Sequence, residues 1–307
     1  MTGGLSARLE LELASAAPDA VVRLAESLAD PARDAAILYY GSTLRTGDLS
    51  GILDFYRLTR HPHRRGVRGL VERFLWPEVS YHEVQIDGAL LRAKVATLPL
   101  ARFRRAAEGR TLDTTIWARF VQPTQRVWSA DEAAADAAAS ACAAAVVTAA
   151  RYAAALGPDR GVSAEYWAAL FRKTYAAEFR VEAVGRADTV VSADVERYAE
   201  ILPLAWGEGG VEFDARGDTL CPDKTGLPGW RLVSLAGKPL NVARLTKAAF
   251  TFDGAARYAA WKIERHTGVV IEVTPFAERF PLLAAPGTWL QLRRDRNVRR
   301  SNAIDSE

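Results

Sequence analysis

Residues 36–58 read AILYYGSTLRTGDLSGILDFYRL, and the fold follows from how this stretch is divided. The apolar run Ile37 to Tyr40 meets Gly41-Ser42. A polar loop with Gly47, Asp48 and Gly51 follows, and a second apolar run, Ile52 to Leu58, encloses one carboxylate, Asp54. The pattern predicts strand, tight turn, loop, strand. A Gly-Ser turn lets backbone N–H groups approach a phosphate closely, and the hydroxyl adds a donor. An aspartate opening the next strand is placed to hold Mg²⁺ beside that phosphate. This is the layout that nucleotidyl transfer from a nucleoside triphosphate needs. A second carboxylate two residues on would share the strand face with Asp54, but that position is Tyr56.

Upstream, apolar residues at helical spacing predict a helix over residues 9–28. Downstream, HPHRRGVR at residues 61–68 reads as a solvated basic loop, or as a contact for phosphate or an anionic lipid surface. Residues 79–98 alternate around Asp87-Gly88, a two-residue hairpin signal. Glu83 is the nearest further candidate for the metal, while Asp87 suits the turn. Arg92 and Lys94, on the second arm, are candidates to contact a triphosphate. His82 and His266 read as structural histidines rather than as bases.

Residues 100–120 predict helix with a break near Gly109, ended by Pro123. Ser129 with Glu132 forms a capping-box pattern for a long alanine-rich helix to Leu156. A second helix is expected over 164–175. Residues 179–184 and those after Thr189 fit short strands or helices. Residues 207–229 predict a long loop with a short hairpin, and a last helix is expected over 253–267. Apolar and aromatic residues from Phe276 to Trp289 then precede Arg293, Arg294, Arg296, Arg299 and Arg300, a composition suited to an anionic membrane surface. Domains are expected at residues 1–128, 129–245 and 246–307.

The composition narrows the classes. The 307 residues are 49% apolar, enough for a sizeable core, and the net charge of +3 is too mild to argue for nucleic acid. Two cysteines, Cys142 and Cys221, cannot build a disulfide framework or a cysteine zinc site. No signal peptide is apparent at the N-terminus. The most apolar run, 133–155, is mostly alanine, too weakly apolar for a span. A cytoplasmic protein, soluble or peripheral, is expected.

Four separated motifs carry a resemblance to a known family, the peripheral, mitochondrial-type phosphatidate cytidylyltransferases, in a distant bacterial branch. Tyr40-Gly41-Ser42 with Leu53-Asp54-Phe55 resembles the family's Tyr-Gly-Ser turn and Leu-Asp-Phe strand. Arg119 to Gln122-Pro123 is similar to its Gly-Arg-Leu-x-Lys-Pro segment, with Gln122 in the lysine's place. Thr174-Tyr175 through Glu178 to Arg180 resembles its Ser-Tyr-x-Gly-Asp-x-Arg motif. Lys247 to Thr251, Tyr258 and Lys262 resemble its late elements. Arg92-Ala93-Lys94 departs from the family's Lys-Tyr-Gly, and the acid usual after that strand is missing near Arg102 to Arg105.

The likeness spans roughly residues 36–266. It implies an α+β fold: a nucleotidyltransferase-fold mixed sheet, then a mostly helical, winged-helix-like domain and a C-terminal helix. It implies transfer of CMP from CTP to phosphatidic acid, with Mg²⁺ as cofactor, on the inner face of the cell membrane, docked through the C-terminal segment. Asp54, Lys94 and Arg92 are then the catalytic candidates, and Asp54 and Glu83 the metal candidates. Gly41, Ser42, Arg119, Gln122, Tyr175, Arg180, Lys247 and Lys262 are the nucleotide-binding candidates. The alternatives are a different phosphate or hydroxyl acceptor, or a non-catalytic nucleotide-binding scaffold.

Overall fold

The computed structural model describes residues 4–61, 75–177 and 186–279. The fold is α+β. A five-stranded mixed sheet, order β3-β4-β2-β1-β5, is built from β1 (Asp34–Tyr40), β2 (Ile52–Thr59), β3 (Glu78–Ile86), β4 (Ala89–Pro99) and β5 (Thr124–Ser129). β1 runs antiparallel to both its neighbours, β2 and β4 are parallel, and β3 returns antiparallel to β4. The β3–β4 hairpin turns at Asp87-Gly88, both at positive φ (50° and 79°), as that dipeptide predicts.

Period-two alternation sends side chains to two separate cores. Ile37, Tyr39, Leu53, Phe55, Ala93 and Val95 pack on one face against Val21, Leu24 and Ala25 of α2 (Asp19–Leu28). Leu38, Tyr56, Leu58, Ala96 and Leu98 pack on the other, beneath α1 (Leu5–Leu13), α4 (Leu100–Ala107), α5 (Thr115–Phe120) and α6 (Glu132–Leu156). Between β1 and β2 lies the one-turn helix α3 (Ser42–Thr46), where the pattern predicts only loop.

The helix expected over 9–28 is two helices. Pro18 disfavours helical backbone in the residue before it, so the chain breaks at 14–18 and restarts as α2. The start of α6 also differs from expectation. Ser129 ends β5, and the cap is Asp131, whose carboxylate accepts from the Ala134 N–H at 2.8 Å. β5 itself carries no strand signal longer than a few residues, and its pairing with β1 is a tertiary event.

After α6 come β6 (Gly161–Val162), α7 (Ser163–Ala177), α8 (Arg186–Ser192), α9 (Val195–Glu208), and the hairpin β7 (Phe213–Arg216) and β8 (Thr219–Pro222). The second sheet has the order β6-β8-β7. Helix, strand, helices, then a hairpin whose second strand joins the first strand is winged-helix topology. Its core is continuous with the helical face of the first sheet: Trp206, Tyr166 and Ile201 share a cluster with Leu38 and Tyr56.

An ion pair ties the two parts. Arg197 on α9 donates to Glu12 on α1 at 2.6 and 2.9 Å and to the Val121 carbonyl at 2.9 Å, and its side chain is 3% exposed. Removing one partner strands a buried charge. Arg197→Ala is therefore expected to cost about 3 kcal/mol, read as a lower urea midpoint at unchanged slope. A shift within error would show that the pair is solvated.

Two helices complete the described chain before the short α12 (Pro275–Arg279). The expected last helix is α11 (Ala255–Thr267). α10 (Trp230–Thr251) has no counterpart in the sequence prediction, because Gly237 and Pro239 punctuate it. Gly237 serves contact: a Cβ there would stand 2.7 Å from the Ala177 carbonyl at the end of α7. Residues 178–185 and 280–307, with the stretches predicted there, and residues 62–68 of the basic run lie outside the described residues.

Candidate functional site

The register of β1, β2 and β4 sets the site. Tyr40 pairs with Asp54, Asp54 with Lys94, and Lys94 with Tyr81, so one row of side chains crosses the sheet on its helical face. At the end of β1, Gly41 adopts φ 99°, ψ −160°, a region essentially reserved for glycine. A Cβ at Gly41 would meet the Asp54 Oδ2 at 2.9 Å. The Gly-Ser turn and the carboxylate are thus in direct juxtaposition.

Gly41, Ser42, Asp54, Lys94, Arg119, Gln122 and Tyr175 line one cleft of about 500 Å³. Its floor is the sheet. Its walls are α5, which brings Thr115 and Arg119, the end of α7, which brings Tyr175, and α10, which brings Asn241, Arg244 and Leu245. Among the described residues the lining carries four cationic side chains, Arg45, Lys94, Arg119 and Arg244, and one carboxylate, Asp54. Such a balance attracts a polyanion.

Arg45, Thr115, Asn241 and Arg244 are the polar lining groups that the motifs miss. Arg45 lies inside the opening stretch, and its Nη1 donates to the Gln122 Oε1 at 3.3 Å. Arg244 is held by Asp113 at 2.7 Å and stacks on Trp76, 4.5 Å from the ring centre. Nothing local in the α10 sequence marks it.

Tyr56, where a second carboxylate would complete the metal set, is committed to the core. It packs against Tyr40, Phe103 and Phe120, and its hydroxyl accepts from Arg119 at 2.8 Å. Burial pushes its phenol up, so it stays neutral while it fixes the guanidinium. Arg119 also lies over the Tyr40 ring at 5.5 Å.

The remaining candidates among the described residues stand outside the lining. Glu83 accepts from the Tyr81 hydroxyl at 3.0 Å and faces Arg92 at 3.4 Å, one row along the sheet from Asp54 and Lys94. Arg92 lies over Trp261 at 5.8 Å. Lys262 lies over Tyr258 at 5.9 Å, and Lys247 donates to the Leu75 carbonyl. Tyr258 is close enough to Asp54 that the carboxylate, after burial, helps push its phenol up. Arg180 and Glu178 are outside the described residues, as is the side chain of His266.

His82 pairs with Ala93, whose side chain belongs to the opposite core, so His82 faces away from Asp54. Its ring sits 2.8 Å from the Ser80 Oγ. Burial is the main cause that holds its pKa below 6.5, with Arg57 and Arg257 adding to the effect and Asp253 opposing it. The unfolded chain therefore binds the proton first. Stability is expected to fall as pH drops from about 6.5 toward the folded value. His82→Gln should flatten that part of the urea-midpoint profile; an unchanged slope would assign it to other groups.

The donor set bears on a metal. Among the described residues no three His, Cys, Asp or Glu side chains cluster. Mg²⁺ is commonly held by one or two carboxylates together with substrate phosphates, and Asp54 at the floor of a basic cleft fits that pattern. Among the described residues only α6 is long and apolar enough to cross a membrane, and half of its apolar window is buried inside the protein. No family model matches the chain, and no curated protein matches it.

Proposed function

We propose that the cleft binds a nucleoside triphosphate and transfers its nucleotidyl group to a phosphate-bearing lipid. The resemblance names CTP as donor and phosphatidic acid as acceptor, giving CDP-diacylglycerol and pyrophosphate. The juxtaposition of the Gly41-Ser42 turn, Asp54 and Lys94 in one basic cleft carries this reading.

The Gly41-Ser42 turn receives the terminal phosphates, and Arg45, Lys94 and Arg119 offset their charge. Arg244, held by Asp113, closes the far wall. A phosphate oxygen of the acceptor attacks the α-phosphorus, the bond to the bridging oxygen of the β-phosphate breaks, and pyrophosphate departs. The acceptor phosphate is already ionised near neutral pH, so positioning and charge neutralisation supply the rate without a general base. Mg²⁺, held by Asp54 and the triphosphate, would neutralise charge that develops on the leaving group. The enzyme then works as a peripheral protein on the inner face of the cell membrane.

The test is pyrophosphate release by purified protein with Mg²⁺ and phosphatidic acid in mixed micelles, with CTP, ATP, GTP and UTP offered in parallel. Release that is selective for CTP and needs the lipid supports the reading. Release with CTP but without this lipid moves the acceptor to another phosphate or hydroxyl. Tyr56, in place of a second acid, favours one further reading: nucleotide binding with no turnover. Saturable Mg²⁺-dependent binding without release would establish it.

A further inference from the structure

α10 has two faces. One packs inward through Val233 and Gly237, and its edge reaches the cleft through Asn241, Arg244 and Leu245. The other is apolar and open. Leu232, Leu235, Val242 and Leu245 are 69, 66, 54 and 62% exposed. Their spacings of three, seven and three put them on one side of a 3.6-residue helix. Arg231 and Lys238 are exposed on the same side, and the helix holds no Asp or Glu from Trp230 to Thr251. A water-facing helix in a folded protein ordinarily carries both signs of charge. An apolar stripe with cations only is the composition of a helix lying flat in an anionic lipid interface, where long basic side chains reach the headgroups.

We propose that the exposed face of α10 is a membrane-docking surface, with an anionic lipid bilayer as its partner. Leu245 belongs both to this stripe and to the cleft lining, so docking sets the cleft mouth at the bilayer. A lipid phosphate then reaches Asp54 and Lys94 without leaving the interface. The delivery of substrate rests on the proposed transferase function; the docking does not. The charge pattern selects lipid over a second copy of the chain, since two such faces brought together would oppose like charges.

The experiment is flotation of the full chain with vesicles of phosphatidylcholine alone, and of phosphatidylcholine with phosphatidylglycerol in equal parts. The variants are Leu235→Ser with Val242→Ser, and Lys238→Glu. None of these residues lines the cleft, and circular dichroism checks the fold. The C-terminal segment is left in place, so any loss reports on α10.

The protein is expected to float with the anionic vesicles, less at high salt. The double variant should partition at least about tenfold less, having lost two interfacial anchors. Lys238→Glu should weaken binding to anionic vesicles by about tenfold and leave neutral vesicles unaffected. Unchanged flotation of the double variant would overturn the proposal, as would failure of the parent protein to bind. A dimer in sedimentation velocity that the double variant dissociates, with lipid binding intact, would overturn it in favour of a second copy.

Pyrophosphate release separates the two readings. Loss of turnover on vesicles with full turnover on a water-soluble short-chain phosphatidate supports docking as the delivery step. Loss of flotation with no turnover by any form leaves docking standing and removes the transferase.

Discussion

If the cleft carries the proposed transfer, Asp54→Asn is expected to lower pyrophosphate release by roughly 10³-fold or more, with the protein still folded and its far-ultraviolet dichroism unchanged. The size follows from position. Among the described residues Asp54 is the single carboxylate on the lining of a cleft with four basic side chains. It is the neighbour of both Tyr40 and Lys94 in the sheet, and the Gly41 backbone sits against its oxygen. Asparagine keeps the shape and removes the negative charge, the one carboxylate that the described lining would offer to a divalent cation at the proposed triphosphate. The variant's affinity for triphosphate without Mg²⁺ should be equal or higher, because a like charge has gone. Residual turnover above about a tenth of the parent rate would put the chemistry at another place in the molecule.

Gly41→Ala is expected to reduce stability and, on the proposed function, turnover. An L-residue at φ 99°, ψ −160° sits in a region worth about 1–3 kcal/mol of strain, and the new methyl would approach the Asp54 Oδ2 to 2.9 Å. The chain relieves this by shifting the turn, the carboxylate, or both. A displacement of about 1 Å at a reacting centre costs on the order of 10²-fold in rate. The two readouts should move together: a lower urea midpoint and a lower turnover number. Gly47, also at positive φ, supplies the control, since a Cβ there meets nothing within 4 Å. Gly47→Ala should lose stability to backbone strain with little loss of turnover. Equal effects of the two substitutions on turnover would separate the Gly41 turn from the site.

The core of the site was legible because its signals are local. A period-two apolar pattern interrupted by Gly-Ser predicts two strands with a loop between them, and the structure pairs them antiparallel as β1 and β2 across a connection that includes α3. Asp87-Gly88 likewise fixes its hairpin through backbone conformation alone. Arg119, Gln122 and Tyr175 reach the cleft from α5, from the residues just after it and from α7. Their motifs name them, while their convergence on Asp54 is a product of packing.

Other features depend on partners far away in the chain. β5 becomes a strand because β1 offers an unpaired edge to a six-residue segment with little pattern of its own. α10 stays helical through Gly237 and Pro239 because tertiary contact with the end of α7 outweighs propensity, and Gly237 permits that contact. Arg244 enters the cleft only by way of this helix. Glu83 and Arg92 carry the right chemistry, but the registers of β2, β4 and β3 set them one row away from Asp54, where they face each other as an ion pair at 3.4 Å. Tyr56 occupies an acid's position, yet three aromatic rings and Arg119 claim it for the core.

By itself, then, the amino-acid sequence determined the alternation of the two sheet faces, the Gly41 turn, the Asp87-Gly88 hairpin and the carboxylate at Asp54. Each rests on a backbone conformation or a periodicity that a few neighbouring residues impose. Only the tertiary structure decided which cations surround that carboxylate, which wall α10 provides and which apolar stripe it leaves facing outward. Those outcomes are set by register and helix packing between segments up to two hundred residues apart, and no local pattern carries that information.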